Sequence, residues 1–315
     1  MHKLAYDDIT SAEARVTGHV RPVTVAPVEP RAGQTHQVWL ALEYMQHTGS
    51  FKARGARNFV QAHRDAGTLP DAGVTIASGG NAGLACAWAA QQQGVPATVF
   101  LPTSAPQVKV ARLRGLGADV RLVGAEYAEA LAACEEFAAD TGALASHAYD
   151  HPLIAAGAGT LLEEIRARVP DLDTVVVAVG GGGLFAGVAT AAEWHGIRTV
   201  AAEPVGCRAL NAGLEAGRPV DVTVDSVAAD SLGARRVSRM ALTVAQREHA
   251  CSVLVADEEI VRARRALWDQ RRVAVEHGAA TALAALTSRD GYRPRDGERV
   301  CVVLCGANTD PSDLA

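Results

Sequence analysis

Thr174-Val175-Val176-Val177-Ala178-Val179-Gly180-Gly181-Gly182-Gly183-Leu184-Phe185-Ala186-Gly187 passes from a short β-branched run, through four successive glycines, into a segment of helical composition. An apolar run this short, closed by glycine, reads as a strand buried on both faces, the kind found in parallel sheets. Four glycines in a row are entropically costly, so a plain loop has little reason to use them. At a helix start their amides form a nest for a phosphate group. Gly181, Gly183 and Ala186 also satisfy the G-x-G-x-x-A dinucleotide fingerprint, and Glu203 lies about twenty residues further on, where a ribose-binding acid belongs. A nucleoside-triphosphate loop is excluded, because no Gly-Lys-Ser/Thr follows.

The same alternation extends outward in both directions. Strands are expected at 74–78, 97–101, 120–123, 174–179, 199–202 and 300–304, and helices at 80–93, 107–114, 127–140, 153–168, 184–195, 257–270 and 279–287. Strands spaced by helices make parallel βαβ units, so the class is α/β. Gly94, Gly115 and Gly196 stand where helix C-caps belong. No repeat or Pro/Ser-rich linker divides the chain, and the weakest joint is at 147–152, where Asp150 and Pro152 precede a new helix. His147 and His151 are four apart, but Pro152 breaks a helix through both and no third ligand is close, which argues against a metal there.

Composition narrows the function. The chain has 315 residues, 49% apolar and 21% charged, which describes a folded globular protein rather than a disordered one. A formal charge of −5 is the wrong sign for a nucleic-acid partner. Thirty glycines against 4% aromatics favour backbone-lined loops over stacking platforms. No signal-like leader or long apolar run is present, so a cytoplasmic location and no membrane association are expected. Six cysteines without a Cys-x-x-Cys pair indicate thiols that are for the most part reduced and buried.

Three further stretches can carry chemistry. Thr48-Gly49-Ser50-Phe51-Lys52-Ala53-Arg54-Gly55-Ala56 sets a lysine among small residues at the start of a helix. A lone lysine is usually a solvated charge, whereas a desolvated one has a depressed pKa and can form a Schiff base. Ala77-Ser78-Gly79-Gly80-Asn81-Ala82-Gly83 is either a tight strand-to-helix turn with an Asn cap or a backbone cradle for a carboxylate or phosphate. Val302-Val303-Leu304-Cys305-Gly306-Ala307-Asn308 is a buried-type strand ending in a thiol, by itself an ordinary core cysteine.

Taken together and in this order, the four stretches resemble the serine/threonine dehydratase (ammonia-lyase) family of fold type II pyridoxal-phosphate (PLP) enzymes, over nearly the whole chain. The resemblance implies a two-domain, tryptophan-synthase-β-like α/β fold with parallel-rich twisted sheets flanked by helices. A large PLP-binding domain would comprise 1–52 and 147–315, and a small domain 53–146. It implies that Lys52 bonds the cofactor, with Phe51 against one face of the ring and Asn81 at its hydroxyl. Gly180, Gly181, Gly182, Gly183 and Leu184 would hold the phosphate, and Cys305 would face the pyridine nitrogen. Ser78, Gly79, Gly80, Asn81 and Ala82 would receive the substrate carboxylate. Tyr149-Asp150-His151-Pro152, followed by Gly157 and Gly159, looks like the family's domain crossover. A dinucleotide enzyme would account only for the tetraglycine stretch.

The implied reaction is dehydration and deamination of a hydroxyamino acid such as L-threonine or L-serine to a 2-oxo acid and ammonia, with Lys52 and Ser78 as catalytic residues and Lys52 as the base at Cα. Racemases of the family carry a hydroxyl residue where Gly79 stands, and Ala82 replaces a histidine common in threonine dehydratases, as in the animal-type serine dehydratases. Cysteine synthases, the β-replacement relatives, have a different asparagine loop and a threonine-rich phosphate cup. Glu203, Cys207, Leu232 and Ala234 match the family's cation position, and an oxygen-rich set with one carboxylate suits K+ or Mg2+. The resemblance also implies a homodimer. Because it uses the whole 315 residues, the appended regulatory domain of biosynthetic threonine dehydratases is not expected.

Overall fold

A computed structural model describes residues 4–30 and 33–314. The first three residues of the N-terminal stretch read above for a leader lie outside these. In chain order the elements are α1 (Tyr6–Val16), β1 (Val25–Val28), β2 (Gln37–Ala41), α2 (Lys52–Asp65), β3 (Val74–Ala77), α3 (Asn81–Gln93), β4 (Ala97–Leu101), α4 (Gln107–Gly115), β5 (Asp119–Leu122), α5 (Tyr127–Thr141) and β6 (Leu144–Ala145). There follow α6 (Pro152–Arg168), β7 (Thr174–Ala178), α7 (Gly183–Trp194), β8 (Arg198–Pro204), α8 (Ala209–Ala216), α9 (Ala229–Leu232), α10 (Arg239–Ala245), β9 (Ala250–Val255), α11 (Asp257–Arg271), α12 (His277–Thr287) and β10 (Arg299–Val303).

The strands form two sheets, a six-stranded one ordered β1-β2-β10-β7-β8-β9 and a four-stranded one ordered β5-β4-β3-β6. All ladders are parallel except β1 against β2. The central strand β7, Thr-Val-Val-Val-Ala, is buried at every position, the signature of a strand covered on both faces. The fold is therefore α/β with parallel-rich sheets flanked by helices, and the strands expected from the sequence lie inside it. Four strands escaped the sequence reading. β1 contains Pro27 and β9 is half-exposed along most of its length; both are edge strands, where the buried-run signal is lost. β2 is short and partly exposed, and β6 has only two residues. Helices α1, α8, α9 and α10 were also missed, and α12 begins at His277, two residues before the expected start. Gly94 caps α3 in the left-handed region as expected, while Gly115 is the last helical residue of α4 and the left-handed turn falls on Gly117.

Three helices cross at backbone contact. A Cβ on Gly55 of α2 would lie 2.6 Å from the Ile154 carbonyl of α6, and one on Gly157 of α6 would lie 2.6 Å from the Arg54 carbonyl. On the other side of α6, a Cβ on Gly187 of α7 would lie 2.1 Å from the Ala155 carbonyl and 2.6 Å from the Gly159 nitrogen. Helix α6 is thus a thin spacer between α2 and α7. At this crossing steric exclusion outweighs the ordinary helix penalty of glycine, about 1 kcal/mol relative to alanine. Gly187→Ala is expected to destabilise the protein by at least about 2 kcal/mol through overpacking. Gly115→Ala, where an added methyl meets nothing within 4 Å, should instead gain roughly 0.5 kcal/mol. Urea unfolding of the two variants checks the opposite signs; a stabilised Gly187→Ala would remove the spacer argument.

Candidate functional site

Three strands deliver their following loops to one cleft. β3 leads to Ser78, β7 to Gly180, and β10 to Cys305, and β7 and β10 are neighbours where the strand order of the large sheet reverses. Open parallel sheets bind ligands at the carboxyl ends of strands at such a reversal. The resulting cavity, about 600 Å³, is lined by Phe51, Lys52, Ser78, Gly80, Asn81, Ala82, the four glycines 180–183, Leu184 and Cys305, among others. Among the residues proposed from the sequence for cofactor and substrate, only Gly79 lies outside this lining; it borders an adjoining pocket with Gly80 and Asn81.

Lys52 reaches the cleft through a long-range pairing. Ser50 bridges to Gly306, the Phe51 N–H donates to the Cys305 carbonyl at 2.9 Å, and the Ala307 N–H donates to the Gly49 carbonyl at 2.9 Å. These contacts hold the lysine motif against the end of β10. Lys52 Nζ donates to the Ala148 carbonyl at 2.7 Å and sits 4.8 Å from the centre of the Phe51 ring. Burial lowers the Lys52 pKa to about 8, against weaker upward pulls from Cys305 and Glu276. Lys52 is also the first residue of α2, whose opening turn contains no acid, so the positive end of the helix further disfavours an ammonium.

Two more helix N-termini face the cavity. Asn81 opens α3 and Gly183 opens α7, and neither first turn contains an acidic residue. Their leading amides have no intrahelical acceptor and are suited to anions. The tetraglycine is constrained from behind by protein. A Cβ would come within 3.0 Å of Leu232 at Gly180, 2.3 Å of the Tyr149 ring at Gly181, 2.4 Å of Ala241 at Gly182 and 2.9 Å of the Tyr149 carbonyl at Gly183. Gly182 also has φ of 93°, which side chains rarely adopt.

The Cys305 thiol is buried, which pushes its pKa up to about 12, so it is protonated at neutral pH. Glu276, 5% exposed, accepts from Asn81 Nδ2 at 2.9 and 3.1 Å and from the Asn308 N–H at 2.8 Å. Burial pushes its carboxyl pKa up, and the Asn81 and Asn308 donors pull it down. Sequence reading missed Glu276, and it treated Tyr149 only as crossover. An acid just before an apolar helix is ordinary dipole complement, so nothing in the sequence marked Glu276 as a site residue.

Glu203 lies at 0% exposure on β8; its oxygens accept the Leu210 and Asn211 amides at 2.7 and 2.8 Å, and burial pushes its pKa up to about 7. The Cys207 N–H donates to the Pro204 carbonyl at 3.0 Å, while Leu232 and Ala234 line the main cleft. Among the described residues no three His, Cys, Asp or Glu side chains gather as a metal cluster. His147 Nδ1 accepts the Tyr149 and Asp150 amides, and His151 Nδ1 accepts the Leu153 amide.

Comparison with known proteins agrees with this geometry. Residues 16–306 match the family described as pyridoxal-phosphate dependent enzyme. The chain belongs to this family. It is 38% identical over 283 residues to a serine dehydratase-like protein of Rattus norvegicus, covering 86% of this chain and 85% of that one. It is 38% identical over 280 residues to an L-threonine ammonia-lyase of Geobacter sulfurreducens, covering 88% and 69%. The structure of maize serine racemase superposes with a TM-score of 0.91 at 29% identity, covering 99% of this chain and 96% of that one. The fold is that of the fold type II PLP enzymes.

The residues present fit the family's cofactor: a desolvated amine for its carbonyl carbon, free helix-end amides for its phosphate, and a cavity whose back wall excludes side chains from the glycine loop. The Lys52 environment has a measurable consequence in cofactor-free protein. Between about 8 and 10.5, the ordinary lysine value, the unfolded chain holds a proton that the folded one does not, so folding stability rises with pH across that window. Below pH 8 both states are charged and the folded state bears the cost of burying an ammonium. Lys52→Met is therefore expected to stabilise cofactor-free protein at pH 7, with the gain shrinking as pH climbs from 8 towards 10.5. Denaturant titrations at several pH values measure this; a pH-independent difference would contradict a desolvated amine.

Proposed function

We propose that the protein is a PLP-dependent lyase that eliminates water from a hydroxyamino acid such as L-serine or L-threonine, the released enamine then taking up water to give a 2-oxo acid and ammonia. The observation that carries this reading is the convergence of an amine at about 8 and the ends of three acid-free helices on one cavity. PLP bound through Lys52 supplies the electron sink that acidifies the substrate Cα–H bond. The amides at the start of α7 hold the phosphate, and those at the start of α3, with Ser78, receive the substrate carboxylate. Lys52, neutral over much of its population near pH 8, removes the proton from Cα. Ser78 and the Gly79–Gly80 backbone keep that carbon facing the amine.

Elimination is favoured over competing outcomes by two features. A thiol at about 12 cannot hold a proton on a pyridine nitrogen, so Cys305 leaves the ring a weaker sink than an aspartate would. Gly79 has no hydroxyl to return a proton to the opposite face of Cα, and a Cβ there would come 2.8 Å from Leu101 Cδ2. The likeness to maize serine racemase makes racemisation the alternative to test. The reading extends to a K+ or Mg2+ ion at Glu203, whose oxygens each accept one amide and retain a lone pair for a cation. It also takes the protein to be a cytoplasmic homodimer without nucleic-acid or membrane partners. A formal charge of −5 speaks against a nucleic-acid partner, and among the described residues no helix is long and apolar enough to cross a membrane.

Purified protein should carry a visible cofactor band that Lys52→Ala abolishes, with 2-oxo acid formation falling by about 10²–10⁴-fold or more. Assays of 2-oxo acid and of D-isomer production across serine, threonine and hydroxyaspartate identify the substrate. D-serine as the main product would replace the lyase reading with a racemase. Cys305→Asp is expected to raise transamination and racemisation relative to elimination, and an unchanged product ratio would count against the role given to the thiol. Full activity after chelation in potassium-free buffer would remove the cation.

A further inference from the structure

The Asn81 side chain is gripped from two sides. Its Nδ2 donates to both Glu276 oxygens, and its Oδ1 accepts from Asn308 Nδ2 at 2.6 Å. Neither grip tolerates a reversed amide. Both Glu276 oxygens face Asn81 Nδ2 and one also takes the Asn308 N–H, so a carbonyl turned towards them would meet acceptors. The Asn308 amide is itself oriented, because its Nδ2 also donates to the Thr48 carbonyl at 2.7 Å and its Oδ1 accepts from Arg112 Nη2 at 2.5 Å. Glu276 is anchored in turn. Its own N–H donates to the Gly306 carbonyl at 3.0 Å, it takes the Asn308 amide at 2.8 Å, and a Cβ on Gly306 would lie 2.8 Å from Oε2. The clamp joins α3, the start of α12 and the loop after β10, beside Cys305 and at the cavity wall.

We propose that Glu276 is a positioning residue that fixes the Asn81 amide with its N–H, and not its C=O, available to the ring hydroxyl of bound PLP. This rests on the PLP reading above and on Asn81 facing that hydroxyl. Nδ2 has two hydrogens, and Glu276 can engage one while the other serves the cofactor. A donor there stabilises the ionised hydroxyl by a charge-assisted bond, whereas a carbonyl would favour the protonated one. The two forms absorb differently, the ionised one in the visible and the neutral one in the near ultraviolet.

In Glu276→Gln one of the two oxygens facing Asn81 Nδ2 becomes a donor, which opposes Nδ2 and favours the turned amide. The holoenzyme of this variant is expected to show a roughly tenfold lower ratio of visible to near-ultraviolet cofactor absorbance at fixed pH, the scale of one charge-assisted hydrogen bond. An unchanged spectrum in folded, cofactor-loaded Glu276→Gln overturns the inference. Should that variant not fold, Glu276→Ala removes the acceptors of Asn81 Nδ2 and of the Asn308 N–H together and must show a shift in the same direction; a folded, cofactor-loaded Glu276→Ala with the wild-type spectrum also overturns it. If the wild-type protein has no cofactor band, or Lys52→Ala retains it, the PLP reading fails together with the inference. If the band depends on Lys52 but is indifferent to Glu276, only the inference fails.

Discussion

Helix α6 sets the geometry of the site without contributing a side chain to the cavity lining. Glycine meets backbone on both of its flanks, at Gly55 and Gly157 towards α2 and at Gly159 and Gly187 towards α7. Interaxial distance depends on the residues at the contact, and glycine permits the closest approach. With α6 this thin, Lys52 at the start of α2 and the glycine loop at the start of α7 open into one cavity. A single methyl at the crossing would displace one helix end relative to the other. Because interiors are close-packed, that displacement would be passed to the cleft and not absorbed locally.

The start of α2 is also held electrostatically. Arg54, fully buried, donates to Glu43 at 2.6 and 3.0 Å and to Glu164 at 2.7 and 2.9 Å. Glu164 Oε2 takes the Val23 amide at 2.6 Å as well. Only a planar fork can serve two carboxylates in this way, so lysine is no substitute. Removing the guanidinium would leave Glu43 buried and unpaired, at a cost of about 3–5 kcal/mol. The Arg54 charge faces its two carboxylates, and the lysine is shifted mainly by burial, with weaker pulls from Cys305 and Glu276. Three positive helix ends around one cavity make it receptive to a phosphate and a carboxylate and inhospitable to an ammonium. Anion binding and a neutral amine thus come from one arrangement.

The sequence was informative where residue type and element type coincide. A run such as Thr174–Ala178 is apolar throughout because it is covered on both faces, and glycines at 180–183 are required by packing whatever the ligand. Edge strands β1 and β9 were illegible because half-exposure dilutes the apolar run that identifies a strand. Glu276 was illegible for a different reason. Its role depends on Asn81 and Asn308, 195 and 32 residues away in sequence, and pairings of this kind leave no local pattern. The pairing of Ser50 with Gly306, which brings Lys52 and Cys305 together, is equally remote. The family resemblance implied that Lys52 and Cys305 face one cofactor, but it did not mark Glu276, and residue spacing alone indicated neither.

The structure also changes the reason for the glycines. The amide nest read from the tetraglycine accounts for its ligand side, yet the atoms that would collide with added side chains belong to Leu232, Tyr149 and Ala241. The ligand side of the loop is its amides, and the protein side is its missing Cβ atoms. Tyr149 connects the two functions. It lies against Gly181 and Gly183, while its neighbour Ala148 accepts the Lys52 ammonium or amine at 2.7 Å. The crossover segment therefore touches both the phosphate loop and the base. A shift of that segment would alter the amine's hydrogen bond and the support of the phosphate loop together, which couples the placement of the base to the seat of the cofactor.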